Sequence, residues 1–509
     1  MYGRLLPLAL AMTAMAYPSA KPQGPIGGAT PEPLDGQWTP PSHVYSNGPY
    51  KQVVYLSFDG MHQTDLVEYI EMFPNSTFAS VVKNSIVFNN AKASKPSDSF
   101  PATIAPFTGA SARVSGVYWQ VTWAKDLYPP SSNCSGPIGS VADWSQVIDY
   151  NASSITGGNA FNLSALPMKL NSWGVCEPLF PHDYLRVNTV FEVGRANGLN
   201  TAYFDKHPGY EFVNGPSGLG LTQGYFPENA AVASTLEAQL AWDDLHWSAL
   251  ANVTAGHYVN GTGSIDFSII GSNFNSITWA QSSGGGYSNC STLANPIFSP
   301  NLTAAFHAAD AKLGAFIKQL EAAGKLESTL LILSSKQGQS PVDESTLTLI
   351  DPQLVINATG VNVSLLTASD TGLIWLENGQ DAVTAKNNLL AKAEELNIVN
   401  VLAGDEVWEY GFGNPRLDPR APDVVILAKD GTLYESGATE DHGGWFPDDL
   451  DVPLVLYNPT FTHANISLEV RTTQIASTIL AALGLPLAQL DGWRMEGSPV
   501  LPFIGLSNQ

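Results

Sequence analysis

The chain has 509 residues, 44% of them hydrophobic, with 46 acidic against 23 basic side chains and a formal net charge of −23. That length allows about two to four ordinary domains or one large α/β domain with insertions, and the apolar share is that of a chain with a packed core. The acidic excess excludes a nucleic-acid polymer or an anionic membrane surface as the main partner, and no heptad, collagenous or solenoid period is present.

In chain order, residues 1–20 come first, with the make-up of a secretory signal peptide. Arg4 is their sole charge, Leu5–Ala16 is apolar, and small residues close the segment at Ala14-Met15-Ala16 or Pro18-Ser19-Ala20. The apolar stretch is about a dozen residues, too short to span a bilayer, and no later run reaches about 18, so a secreted, extracellular product without a membrane anchor is expected. Eleven Asn-X-Ser/Thr sequons, at Asn75, Asn133, Asn151, Asn162, Asn252, Asn260, Asn289, Asn301, Asn357, Asn362 and Asn465, exceed the roughly five that composition alone would give and point to glycosylation. The three cysteines, Cys134, Cys176 and Cys290, allow one disulfide and one free thiol, with the pairing open.

Residues 21–50 read as a Pro/Gly-rich leader. From there to residue 509 the pattern is that of one α/β domain, with a loop-rich insertion around residues 110–200. Val53–Phe58 is an apolar run that suits a buried parallel strand; it stops at Asp59-Gly60, before a helix through Leu66 and Tyr69. Ile265–Ile270 is a second strand leading to Asn273. A helix over Leu302–Ala323 feeds the strand Leu330–Leu333, which ends at Ser334-Ser335-Lys336-Gln337-Gly338. Asp423–Leu427 and Val452–Leu456 read as further strands, and Thr473–Leu483 as a late helix stopped by Gly484. Strands alternating with helices predict an open sheet covered on both faces, and its strand ends place Asp59, Asn273 and Lys336 along one crevice.

The segment Lys95-Pro96-Ser97-Asp98-Ser99-Phe100-Pro101-Ala102, followed by Phe107-Thr108-Gly109, carries the chemistry. With Ser57-Phe58-Asp59-Gly60, Asp441-His442-Gly443-Gly444 and Thr473–Leu480, it resembles the nucleotide pyrophosphatase/phosphodiesterase branch of the alkaline phosphatase superfamily. The resemblance covers most of residues 51–490. It implies an alkaline-phosphatase-like three-layer sandwich, with a mostly parallel sheet and helices on both faces. It also implies a Ser nucleophile at Ser99, a covalent phospho-enzyme, and two metal ions held by three Asp and three His.

The match to that ligand set is partial. Asp59 and His442 stand at metal-ligand positions, but Lys336-Gln337 replaces an Asp-His pair, Asn273 replaces an Asp, and its partner His falls on Ile277 or Thr278. Ala102 replaces the Asn that follows Phe-Pro. Two divalent ions would meet almost no anionic ligation here, so the expectation is one divalent metal, zinc first, held by Asp59 and His442 with Ser99, or none. Lys336 then stands where an ion would, either to activate Ser99 or to pair with Asp59 in a dead site. Asp205-Lys206-His207 forms a second polar cluster, so Lys206, His207, Asn273 and Gln337 are assigned to substrate contact. His62 reads as a surface helix residue, and His246, His257 and His307 show no ligand spacing.

Two functions follow. The first is a secreted hydrolase of phosphodiesters or phosphate monoesters acting on a small anionic substrate through Ser99 and Lys336. The second is a catalytically inactive binding protein on the same scaffold. Serine-esterase chemistry finds no Gly-X-Ser-X-Gly elbow at Ser99 and no His placed by motif as its base.

Overall fold

The computed structural model describes residues 48–145, 162–228, 235–289, 297–502 and 504–505. The signal-like segment, the leader up to residue 47, Asn151 and Cys290 lie outside the described residues. Two sheets organise the chain. Their strands are β1 (Gln52–Phe58), β2 (Ser85–Phe88), β3 (Thr201–Phe204), β4 (Gln223–Tyr225), β5 (Ile269–Phe274), β6 (Thr329–Ser334), β7 (Val363–Ala368), β8 (Thr371–Leu376), β9 (Ile398–Ala403), β10 (Val424–Ala428), β11 (Leu454–Tyr457) and β12 (Ala464–Ile466). The large sheet runs β12-β2-β11-β6-β1-β5-β3-β4, and its centre, β6-β1-β5-β3-β4, is parallel. β11 is antiparallel to both β6 and β2.

The parallel centre follows from unbroken apolar runs. Every residue of β1 is buried, and alternate side chains serve different cores: Val53 and Tyr55 pack on one face, Val54, Leu56 and Phe58 on the other. β6 divides in the same way, with Leu330 and Ile332 opposite Leu331 and Leu333. A strand with both faces covered needs no polar alternation. Helices α1 (Gln63–Met72), α2 (Ser99–Thr108), α3 (Leu236–Ala255), α4 (Pro300–Ala322) and α5 (Gln474–Leu483) are the principal covers. α4 and α5 seal opposite faces, α4 through Leu302, Phe306, Leu313 and Phe316, α5 through Ile475, Ile479, Leu480 and Leu483. Gly484 ends α5 in the left-handed region, at φ 69°, where a side chain would be strained.

Two expectations change. The strand expected at Asp423–Leu427 is β10, and it belongs to a separate four-stranded antiparallel sheet, β7-β8-β10-β9, with its own core. The strand expected at Ile265–Ile270 is shifted to β5, so Asn273 lies within the strand, opposite Ser57, instead of beyond its end. The segment between α2 and β3 is tied to the second sheet by charge: Arg186 forms two bonds to Asp418, at 2.7 and 2.6 Å, and Lys125 pairs with Asp423 at 2.7 Å. Within it, Cys134 and Cys176 form a disulfide.

His62 is also not a surface residue: it is 1% exposed and caps α1. Its Nδ1 lies 2.8 Å from Asp65 Oδ2 and its Nε2 lies 2.8 Å from the Gln339 carbonyl, so the ring ties the exit of β1 to the loop after β6. Burial opposes the imidazolium, but Asp65 outweighs it and raises the pKa to about 9. Because this value is raised from about 6.5, the stabilisation is full below pH 6.5 and is lost as pH rises through 9. His62→Gln should therefore flatten the pH dependence of unfolding free energy between those values by up to about 3 kcal/mol. Urea unfolding of both proteins across that range measures it, and parallel curves would show that the imidazolium is not held.

Candidate active site

The carboxyl ends of β1, β3, β5 and β6 converge on Asp59, which is fully buried. Four donors meet its two oxygens. Lys206 Nζ donates to Oδ2 at 2.8 Å and Lys336 Nζ approaches the same oxygen at 3.1 Å. Gln337 Nε2 donates to Oδ1 at 2.7 Å, and Asn273 Nδ2 reaches Oδ2 at 3.4 Å. Asp205 closes the far side: its Oδ1 accepts from Asn273 Nδ2 at 3.0 Å and lies 3.7 Å from Lys336 Nζ, while Oδ2 accepts from Tyr203 at 2.6 Å. Lys206 also donates to Asn275 Oδ1 at 3.0 Å. Two ammonium groups thus face two carboxylates, and the cluster has no net charge. Burial alone would raise the Asp59 pKa, but Lys206 and then Lys336 hold it far below the usual carboxylate range.

This donor set does not fit a metal pair. Both oxygens of Asp59 are engaged, and a divalent ion at Asp59 would have to displace an ammonium already in van der Waals contact with it. Among the described residues no group of three or more His, Cys, Asp or Glu side chains gathers to hold an ion. His442, expected beside Asp59 as a ligand, instead points Nε2 at Ser99.

Ser99 opens α2. Asp98 caps the helix by accepting from Phe100 N at 3.1 Å, which leaves Ser99 at the positive end of the helix dipole. Ser99 Oγ lies 3.3 Å from His442 Nε2, and His442 Nδ1 lies 3.1 Å from the Ser97 carbonyl oxygen. A carbonyl accepts only, so Nδ1 carries the proton and Nε2 presents a lone pair to the Ser99 hydroxyl. Burial lowers the His442 pKa, outweighing Asp441 and Asp59, and keeps the ring neutral. Sequence reading found no His to serve Ser99; the tertiary structure supplies one from 343 residues away.

Tyr210, Asp205 and Asn275 were not assigned from sequence. Asp205 had a signal, since it ends the apolar run Thr201–Phe204 beside Lys206; Tyr210 had none. Its hydroxyl accepts from Lys336 Nζ at 3.2 Å. Its ring stacks between Phe100 at 4.5 Å and His207 at 5.8 Å, and Lys336 Nζ sits 4.4 Å over the ring. His207, expected at the substrate, has its Nδ1 2.6 Å from Glu228 Oε1, which orients its ring. The other histidines take structural or surface places: His246 is buried against Trp242, His307 packs on Phe73, and His257 is exposed. Lys206 and His442 form the open edge, with side chains 14% and 13% exposed, whereas Lys336 is 1% exposed. A cleft of about 740 Å³ bounded by Lys95, Arg113, Tyr410 and Trp445 lies apart and contains no member of the Asp59 cluster.

Residues 283–457 match the type I phosphodiesterase/nucleotide pyrophosphatase family. That match spans about a third of the chain, and over its length the chain resembles members of the alkaline phosphatase superfamily in fold. Among solved structures, murine ectonucleotide pyrophosphatase/phosphodiesterase 5 superposes with a TM-score of 0.55 at 15% identity, over 85% of this chain and 95% of that one. The human counterpart gives 0.54 at 15%, over 85% and 95%. Alkaline phosphatase PafA gives 0.58 at 13%, over 86% and 96%. At these identities the likeness is one of fold. No curated protein matches by sequence. The phosphodiesterase family is typically zinc-dependent, whereas this chain places two lysines around Asp59.

Removing the shared anion should be costly, because two buried cations would face Asp205 alone. Asp59→Asn is expected to destabilise the protein by about 3–5 kcal/mol, the usual loss when one partner of a buried pair is removed. Denaturant unfolding measures this, and a loss below about 1 kcal/mol would mean that the lysines do not depend on Asp59.

Proposed function

We propose that the protein is a secreted hydrolase of phosphodiesters or phosphate monoesters that works through Ser99 without a bimetallic centre. The observation that carries this reading is the 3.3 Å approach of Ser99 Oγ to His442 Nε2 at a helix N-terminus. His442 takes the Ser99 proton as Oγ attacks phosphorus, then returns it to the leaving oxygen; in the second step it takes a proton from water, which releases phosphate from Ser99. Lys206, at the open edge with His442, and Lys336 behind it offer N–H donors to the phosphoryl oxygens, their charge already shared with Asp59. The AMP found with an inactive form of the murine structure, a phosphate monoester, belongs to the substrate class of this reading.

Secretion is supported by the disulfide, since such bonds persist in oxidising compartments, and by the exposure of Asn75, Asn133, Asn162, Asn260, Asn301, Asn357, Asn362 and Asn465, which could each accept a glycan. Asn252 is half-buried and donates to the Val259 carbonyl, so it is a poorer acceptor. Among the described residues no helix is long and apolar enough to cross a membrane.

The saturation of Asp59 favours a second reading, a binding protein without turnover. Activity on mono- and bis-aryl phosphates separates the two. Turnover should persist in chelator, with well under one equivalent of zinc in the purified protein. Ser99→Ala should lower it at least about a thousandfold. Equal turnover by wild type and Ser99→Ala would remove Ser99 from the chemistry, and absence of turnover would favour the binding protein.

A further inference from the structure

We propose that the Ser99 site also hydrolyses uncharged carboxylic esters, an activity that rests on the reading of Ser99 as nucleophile. Charge is the first ground. Lys206 and Lys336 already share Asp59 and Asp205, so the cluster offers an incoming anion no unpaired positive charge, and the chain as a whole carries −23. A phosphate ester must bring one or two negative charges into that setting. A carboxylic ester brings none, and develops a single negative oxygen only in the tetrahedral intermediate, where fixed donors are most effective.

Geometry is the second ground. Ser99, His442 and the Ser97 carbonyl stand in the order nucleophile, base and orienting acceptor, at 3.3 and 3.1 Å. That arrangement needs no metal to generate the attacking oxygen. The donor for the developing oxyanion is Tyr210. Its oxygen accepts from Lys336 Nζ at 3.2 Å, which polarises the phenol, and its ring stacks on Phe100, the neighbour of Ser99 in the helix. The near-parallel rings of Phe100, at 4.5 Å, and His207, at 5.8 Å, restrain the phenol before substrate arrives.

In the acylation step Ser99 Oγ bonds to the carbonyl carbon, its proton passes to His442 Nε2, and the carbonyl π pair moves onto oxygen facing Tyr210. Collapse re-forms the carbonyl and breaks the bond to the leaving oxygen, which takes the proton from His442. Water then gives a proton to His442 and attacks the acyl-Ser99 carbon. Breaking the Ser99 ester bond frees the acid, and the proton returns to Ser99 Oγ.

The test uses full-length protein in chelator with p-nitrophenyl acetate and butyrate beside p-nitrophenyl phosphate and bis(p-nitrophenyl) phosphate. Mass spectrometry of wild-type protein treated with a fluorophosphonate reads the nucleophile without a variant. Expected are acyl-ester turnover lost in Ser99→Ala, a fluorophosphonate adduct on the Ser99 peptide, and a kcat lowered about 10- to 100-fold by Tyr210→Phe with KM little changed. Acyl-ester turnover without turnover of the phosphates would support the proposal and set aside the phosphoester reading. Phosphate turnover without acyl-ester turnover would overturn the proposal alone. An adduct on another residue, acetate hydrolysis equal in Ser99→Ala, or an inert wild type would overturn it as well, the last together with the phosphoester reading.

Discussion

Asp59 is the point on which the polar centre depends. It sits at the end of the central strand, with no exposure, and a lone carboxylate there would be ruinous in free energy. Two lysines, a glutamine and an asparagine from three other strand ends make it tolerable, and it in turn makes them tolerable. Lys336 could not be 1% exposed without such a partner. The interaction joins the exits of β1, β3, β5 and β6, so the cluster is a structural knot as well as the floor of the candidate site.

The same knot shapes the chemistry. In this chain the cations are side-chain ammonium groups, each already facing carboxylate, and their field at Ser99 is correspondingly weaker. What remains for Ser99 is local: the start of α2, the neutral imidazole of His442 and the phenol of Tyr210. These groups suit a nucleophile that loses its proton to a base as it attacks.

Legibility differed by residue type. Asp59, Ser99 and Lys336 were placed from sequence because each ends or follows an apolar run or sits in a short motif, and parallel strands deliver such residues to one edge. His62 was misread as exposed because helix periodicity alone does not show that the loop after β6 folds over it, through Gln339. His207 was read as a substrate contact, yet a carboxylate 21 residues on, Glu228, claims its ring. The one-sheet reading failed at Asp423–Leu427, since an apolar strand in a second, antiparallel sheet looks the same in sequence as one in the first.

From the sequence alone came the buried parallel strands, the polar residues at their ends, the motif that carries Ser99 and the departure from the metal-ligand set. These are local properties of hydrophobic runs, caps and motif spacing, and they survive without knowledge of packing. Only the tertiary structure decided that Lys206 shares Asp59 with Lys336, that His442 faces Ser99 and that Tyr210 bonds Lys336. Those pairings join residues more than a hundred positions apart, and their geometry is set by strand order and side-chain packing, for which the linear chain carries no local signal.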